Sequence, residues 1–206
     1  MFQLVPYFLA IMLGILFLDI NAQSTKNSIN KNYNSNFILA KEQDPAYRLV
    51  NKKTSLGKYK PDELVIFQGI QVSNRIVPDL KKLLAHAAKD GLTLKVVSGY
   101  RSYEMQKMTF NSWVNRELKK NPKLTRIQAE KLVNMYSAIP GHSEHQLGTT
   151  VDILSSENNY QFTSDVTLKY VEWLEKHAHL YHFKITYPKT QTEYIYEPWH
   201  LRWYPE

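Results

Sequence analysis

Pro140 to Leu154, P-G-H-S-E-H-Q-L-G-T-T-V-D-I-L, constrains this chain more than any other stretch. Its first half is short and polar, with a Gly-Pro break and two histidines. Its second half, Thr149 to Leu154, alternates polar and apolar residues as a half-buried strand does. Val151 and Ile153 then point to one face of the strand, and Thr150 and Asp152 to the other. Any fold this chain adopts has to build a core behind Val151 and Ile153 while displaying Asp152 away from it. Gly148 supplies a turn that can fold the chain back towards His145. A histidine and a carboxylate brought together in this way can share a metal ion or a proton.

The rest of the chain supplies the elements around that strand. Tyr47, Leu49 and Val50, then Leu64, Val65, Ile66 and Phe67, are apolar anchors on either side of a Lys/Pro/Gly loop at 51–62. Pro78 opens a helix that carries Leu80, Leu83, Leu84, Ala87 and Ala88 at helical spacing and stops at Gly91. A strand over Leu92–Val97 follows, with a turn at Gly99. Ser102–Lys120 reads as a helix stopped by Asn121-Pro122. Thr125 with Gln128 forms a capping box for another helix that runs to about Met135. Ser164 or Asp165 caps a helix to about His177. Leu180–Tyr187 reads as a strand, Pro188–Thr192 as a turn, and Glu193–Trp203 as a last strand interrupted by Pro198. Strands and helices mix without a regular βα alternation, which predicts an α+β fold.

Residues 1–18 are uncharged and almost wholly apolar, and Asp19, Ile20, Asn21 and Ala22 follow. This reads as a secretory signal cleaved after Ala22, with an uncleaved membrane anchor as the alternative. Residues 23–43 are polar and without periodicity, a flexible lead-in, and 44–206 form the folded domain. The expected location is outside the cytoplasm, in the periplasm or cell envelope. With no cysteine in 206 residues, disulfides, thiolate zinc sites, thiol nucleophiles and a lipid-anchored form are excluded. The formal net charge of +7 suits a polyanionic partner, although simple solubility is the better default, since no Lys/Arg block of five or more occurs. Nucleic-acid binding would rest on that charge alone and conflicts with the export signal.

The seven histidines are separated by their settings. His177, His179 and His182 gather at the end of a helix, where imidazolium meets the helix dipole favourably. His145, Asp152 and His200 are different. His200 lies in Y-E-P-W-H-L-R-W, three residues after Glu197, and Pro198 can bend the chain enough to bring the two together. Two neutral imidazoles and one carboxylate leave a zinc ion with an open fourth position, where a water reaches a pKa of about 7. Glu197 is then placed as the general base. The competing structural reading is a His/Asp pair with a buried contact between Glu197 and Arg202.

S-G-Y-R-S (98–102), S-E-H-Q-L-G-T-T-V-D (143–152) and E-P-W-H-L-R-W (197–203) together resemble the VanY-type D-alanyl-D-alanine carboxypeptidases. These are zinc peptidases of the M15 group, related in fold to the hedgehog signalling domain. The resemblance runs from about Leu49 to Trp203, with three motifs in order. It implies a small antiparallel sheet with helices packed around it, and zinc held by His145, Asp152 and His200. It also implies Glu197 as catalytic base and Arg101 steadying the scissile carbonyl oxygen, with Ser143, Gln106 and Tyr100 helping to hold the peptide end. The expected partner is a peptidoglycan stem peptide that loses its terminal D-alanine, the expected state is a monomer, and a membrane is a partner only if the leader stays uncleaved. An L,D-carboxypeptidase, a cross-bridge endopeptidase and a non-catalytic wall-binding module are the alternatives.

Overall fold

The computed structural model describes residues 43–190 and 193–205. The leader, and the lead-in as far as residue 42, lie outside them, as does the end of the 188–192 turn. The chain divides into two units, residues 1–47 and 48–206. In the described part of the first, a 3₁₀ turn, Pro45–Tyr47, follows Asp44, whose carboxylate accepts from the Ala46 N–H at 2.9 Å.

The second unit is α+β. A hairpin of β1 (Leu64–Phe67) and β2 (Ile70–Ser73) precedes a four-stranded sheet made of β3 (Leu94–Ser98), β4 (Thr150–Ser155), β5 (Phe183–Ile185) and β6 (His200–Trp203). The order across that sheet is β3–β4–β6–β5, and every pair is antiparallel. Four helices accompany it: α1 (Val77–Lys89), α2 (Tyr103–Lys120), α3 (Arg126–Val133) and α4 (Lys169–His177). Among the described residues no helix is long and apolar enough to cross a membrane.

β4 is a central strand, and all six of its residues are buried. The alternation of Thr149–Leu154 predicts a half-buried strand. Here the second face is covered as well, so Thr150 and Asp152 are as enclosed as Val151 and Ile153. Local signals hold where they are closed by short-range bonds. Leu80, Leu83 and Ala87 are the buried stripe of α1, and each buried leucine contributes about 1.5–3 kcal/mol. Ser102 caps α2 by accepting from the Met105 N–H, and the Thr125–Gln128 capping box is complete. α2 and α3 then pack through Phe110, Val114, Ala129 and Val133.

The strand expected over Leu92–Val97 runs Leu94–Ser98, and three other expected boundaries differ where a distant partner intervenes. Ser164 and Asp165 do not cap α4: the Ser164 hydroxyl donates to the Tyr196 carbonyl and Asp165 accepts from the Thr167 N–H. The first N–H groups of α4, at Lys169 and Tyr170, are taken instead by the Glu157 carboxylate, twelve and thirteen residues away. The strand expected over Leu180–Tyr187 shrinks to Phe183–Ile185. A 3₁₀ turn occupies Ala178–Tyr181, and His182 takes a left-handed backbone with φ +63° while its Nδ1 lies 2.7 Å from Asp79 Oδ2. The last strand begins only at His200. Pro198 has no N–H to give, and the Glu197 N–H goes to the Tyr187 carbonyl rather than to a ladder.

Candidate active site

Sheet register does most of the assembly. Across the antiparallel pairs, Asp152 faces His200 on one side and Ser98 on the other. Directly opposed residues of neighbouring strands carry their side chains on the same face, so Asp152 and His200 meet without any loop closure. The third member comes from the 3₁₀ turn Glu144–Leu147, which ends at Gly148 in a left-handed conformation (φ +73°). That turn sets His145 beside Asp152, with Nε2 3.3 Å from Oδ2. His200 Nδ1 lies 3.3 Å from the other oxygen, Oδ1. One potential ligand atom from each of the three residues falls within 4.8 Å of the others, and all three residues are buried.

The two rings turn opposite nitrogens to this centre, and each is held by the nitrogen it turns away. His145 Nδ1 is 2.8 Å from the Gly99 carbonyl. His200 Nε2 is 3.0 Å from Glu144 Oε2. An outward N–H fixed on a carbonyl or carboxylate is what orients a metal-binding imidazole and raises its basicity. Asp152 Oδ1 is buried and forms no hydrogen bond with any described residue. Two neutral imidazoles, a carboxylate and an unsatisfied buried oxygen fit a zinc ion.

Charge follows the same geometry. Burial pushes the His145 imidazolium down against the pull of Asp152. Burial also opposes a charged His200, but Asp152 and Glu144 on either side of the ring raise it to about 10. Asp152 is held well below the usual carboxylate range in spite of burial, by the two histidines. Without a metal the two carboxylates therefore favour a proton on His200, which a cation bound at Nδ1 would replace.

Glu197 completes the group. The His200 N–H donates to the Glu197 carbonyl at 3.1 Å, a turn at Pro198 that places both side chains together, with Glu197 Oε2 3.8 Å from His200 Nδ1. Burial, reinforced by Asp152 and Glu144 and opposed by His200 and Arg101, raises the Glu197 carboxyl to about 7. The contact weighed between Glu197 and Arg202 does not form: Arg202 donates to Glu144 Oε1 at 2.9 Å.

A cavity of about 550 Å³ opens over the centre, lined by His145, Asp152, His200 and Glu197 together with Arg101, Gln106 and Ser143. Arg101 is held at both terminal guanidinium nitrogens, by Gln106 Oε1 at 2.9 Å and Ser98 Oγ at 3.2 Å. The other end of the Gln106 amide donates to the Ala138 carbonyl at 2.6 Å, so this buried glutamine aims Arg101. Ser143 leaves the turn that follows it uncapped by its hydroxyl. Tyr100 is not among the lining residues; its N–H donates to the Gln71 carbonyl. His142 is turned away as well, with Nδ1 2.7 Å from the Asn51 carbonyl. Tyr187 is stacked on His200, rings 4.2 Å apart, and walls the cavity with Phe162, Tyr194 and Trp199.

Sequence reasoning passed over Glu144. Besides His200 and Arg202 it accepts from the Thr186 hydroxyl at 2.5 Å. Burial resists its charge, yet His200, Arg202 and Thr186 hold its carboxyl down to about 2. Its one sequence signal was a carboxylate next to His145 in a short polar motif. Its partners lie more than forty residues away and leave no local trace.

The profile of the VanY family, described as D-alanyl-D-alanine carboxypeptidase, matches residues 69–206. The chain belongs to the VanY family. YodJ of Bacillus subtilis (strain 168) is 36% identical over 173 residues, covering 75% of this chain and 58% of that protein. The D-alanyl-D-alanine carboxypeptidases of Enterococcus faecalis (strain ATCC 700802 / V583) and Enterococcus faecium are covered over 59% and 55% of their lengths, so the chain spans little more than half of the curated relatives it matches. Among solved structures, the vancomycin-resistance D,D-pentapeptidase VanY of a VanB-type cassette, a glutamate-to-alanine mutant in complex with Zn(II), superposes with a TM-score of 0.67 at 31% identity, over 78% of this chain and 88% of that one. The LD-carboxypeptidase LdcB superposes with a TM-score of 0.66 at 33% identity, over 78% of each chain. The VanY fold and the α+β arrangement expected from sequence are therefore the same.

Proposed function

We propose that this VanY-family chain is a zinc-dependent carboxypeptidase that removes the terminal D-alanine from peptidoglycan stem peptides. The observation that carries this reading is the convergence of His145 Nε2, Asp152 and His200 Nδ1 at the floor of a cavity, with the Glu197 carboxyl beside them. Zn(II) in the VanY relative supports the choice of metal. His145, Asp152 and His200 would hold the ion, which when bound supplies a Lewis acid and lowers the pKa of water.

The chain's own residues do the rest. Glu197, whose carboxyl burial has raised to about 7, takes a proton from the attacking water and returns it to the nitrogen of the departing amino acid. Arg101, fixed by Gln106 and Ser98, faces the cavity as a preorganised cation for the negative charge that develops on the scissile carbonyl oxygen. Ser143 offers a hydroxyl to the substrate. Gln106 acts through Arg101. The apolar wall of Tyr187, Phe162 and Trp199 restricts water around the reacting bond.

Mass spectrometry of defined muropeptides after incubation with the zinc-loaded protein tests the reading. Loss of one D-alanine from pentapeptide is expected. Loss from tetrapeptide alone would assign L,D activity, as in LdcB, and no product from either would refute the enzyme.

A further inference from the structure

Of the three converging side chains, Asp152 and His200 are carried by strands, whereas His145 is carried by a four-residue 3₁₀ turn. Part of that turn is bonded to neighbours in the site. The Arg101 N–H donates to the His145 carbonyl at 3.1 Å, and the Ser73 N–H to the Gly148 carbonyl at 2.8 Å. A second set of bonds comes from residues 48–59, a strap with no helix or strand of its own. It precedes the stretch that the VanY profile matches. Gln146, next to His145 and fully buried, donates from Nε2 to two strap carbonyls, Gly57 at 2.8 Å and Tyr59 at 2.9 Å. The Leu56 N–H donates to the Gly141 carbonyl at 2.7 Å, and His142 Nδ1 meets the Asn51 carbonyl. The strap is also folded on itself: Asn51 Oδ1 accepts from the N–H groups of Lys53 and Thr54, and the Arg48 guanidinium lies 4.5 Å over the Tyr59 ring.

These bonds grip the chain on either side of Ser143–His145, at Gly141 and His142 before it and at Gln146 after it. Both amide hydrogens of Gln146 go to carbonyls of the strap, so this one side chain ties the two segments together. A ligand on a loosely held turn gives up affinity to the entropy of ordering it, and a turn held in advance does not. We propose that Gln146 is a positioning residue, which clamps the turn to the strap and thereby presets the His145 imidazole for the metal. The strap reaches the other histidine too. The Arg48 carbonyl accepts from Arg202 Nη2 at 2.6 Å, and Arg202 holds Glu144, the support of His200. This rests on the zinc reading of the site.

Two variants of the full chain test the clamp from its two sides. Gln146→Leu removes both side-chain bonds at similar size, and Leu56→Pro removes the N–H that the strap gives to Gly141. Asp79→Asn, which loses bonds to His182 and Trp203 instead, is the control for lost stability alone. In the metal-free protein, hydrogen exchange at the Gln146 and Gly148 amides should quicken in both variants and not in the control. Zinc affinity by chelator competition should fall about 10- to 100-fold in Gln146→Leu, as on loss of other outer supports, and in the same direction in Leu56→Pro. Combined, the two should lose less than the product of the single losses, because both release the same strap. Unchanged exchange, or zinc affinity within about twofold of wild type in the folded variants, overturns the positioning role. So does a fall no larger than in Asp79→Asn, or single losses that multiply in full. Should Gln146→Leu not fold, Leu56→Pro decides by the same measures. Wild-type protein that binds no zinc overturns the metal reading and this role together, a result distinct from all of these.

Discussion

Replacing Glu144 with glutamine keeps the shape of the side chain and removes one buried charge. The carboxylate now binds His200 Nε2, Arg202 and the Thr186 hydroxyl together. In Glu144→Gln, Arg202, whose side chain is 3% exposed, keeps its charge and loses the Glu144 carboxylate from its partners. Breaking a buried pair from one side costs about 3–5 kcal/mol. Separately, the outward N–H of His200 loses its anionic acceptor. Loss of such a support lowers metal affinity about 10- to 100-fold, equivalent to about 1.4–2.8 kcal/mol. The two effects separate in Glu144→Gln combined with Arg202→Met. Removing both charges should recover most of the stability, because the buried guanidinium that lost the Glu144 carboxylate is gone, while zinc affinity stays low. Thermal unfolding measures the first quantity and chelator-competition titration the second. Zinc affinity within twofold of wild type in Glu144→Gln would refute the support role. Full recovery of affinity in the double variant would show that Glu144 acts only through the stability of the fold.

Four further outcomes are expected. Glu197→Gln should bind zinc normally, by metal analysis, and lose at least about 100-fold in kcat, since general acid–base catalysis contributes roughly 10²–10⁴; an active variant would show that the base is another group. In the metal-free protein Glu197 should titrate near 7 by carboxyl NMR, its charged form being lost as pH falls; a bound dication favours the carboxylate, so the acid limb of kcat/KM in the loaded enzyme should lie below 7, and a limb above 7 would contradict the assignment. Gly99→Ala places a Cβ 2.4 Å from the Gln71 carbonyl oxygen, so β2 or the Gly99 carbonyl that holds His145 has to shift; weaker zinc binding with the fold retained by circular dichroism is expected, and wild-type affinity would argue against that carbonyl's role. Asp79→Asn removes the carboxylate that accepts from Trp203 Nε1 at 2.9 Å and pairs with His182. A loss of about 1–3 kcal/mol by denaturant unfolding is expected, without an effect on zinc.

The residues that the candidate site brings together were legible because they sit in short motifs. His145, Asp152, His200, Glu197 and Arg101 could be named from their spacing and from the resemblance those motifs carry. Helix starts at Ser102 and Thr125 were legible too, because a capping bond closes within three residues and depends on nothing beyond them. Whatever depended on a distant partner was not. The start of α4 waited on Glu157, and Glu144 waited on Arg202 and Thr186.

Alone, the sequence determined which side chains could bind a cation and move a proton, since those are properties of residue type and close spacing. Tertiary structure decided that they meet. Register across β3, β4 and β6 sets Asp152 opposite His200 and Ser98, and covering the second face of β4 buries an aspartate that alternation alone would leave half-exposed. Burial then decides the charge, for desolvation and two neighbouring carboxylates act on His200 only once the sheet has closed around it. The cavity wall along α2 is tertiary as well. Glu117 and Tyr136 are nineteen residues apart and become one wall only when α2 and the end of α3 pack together through Phe110, Val114, Ala129 and Val133.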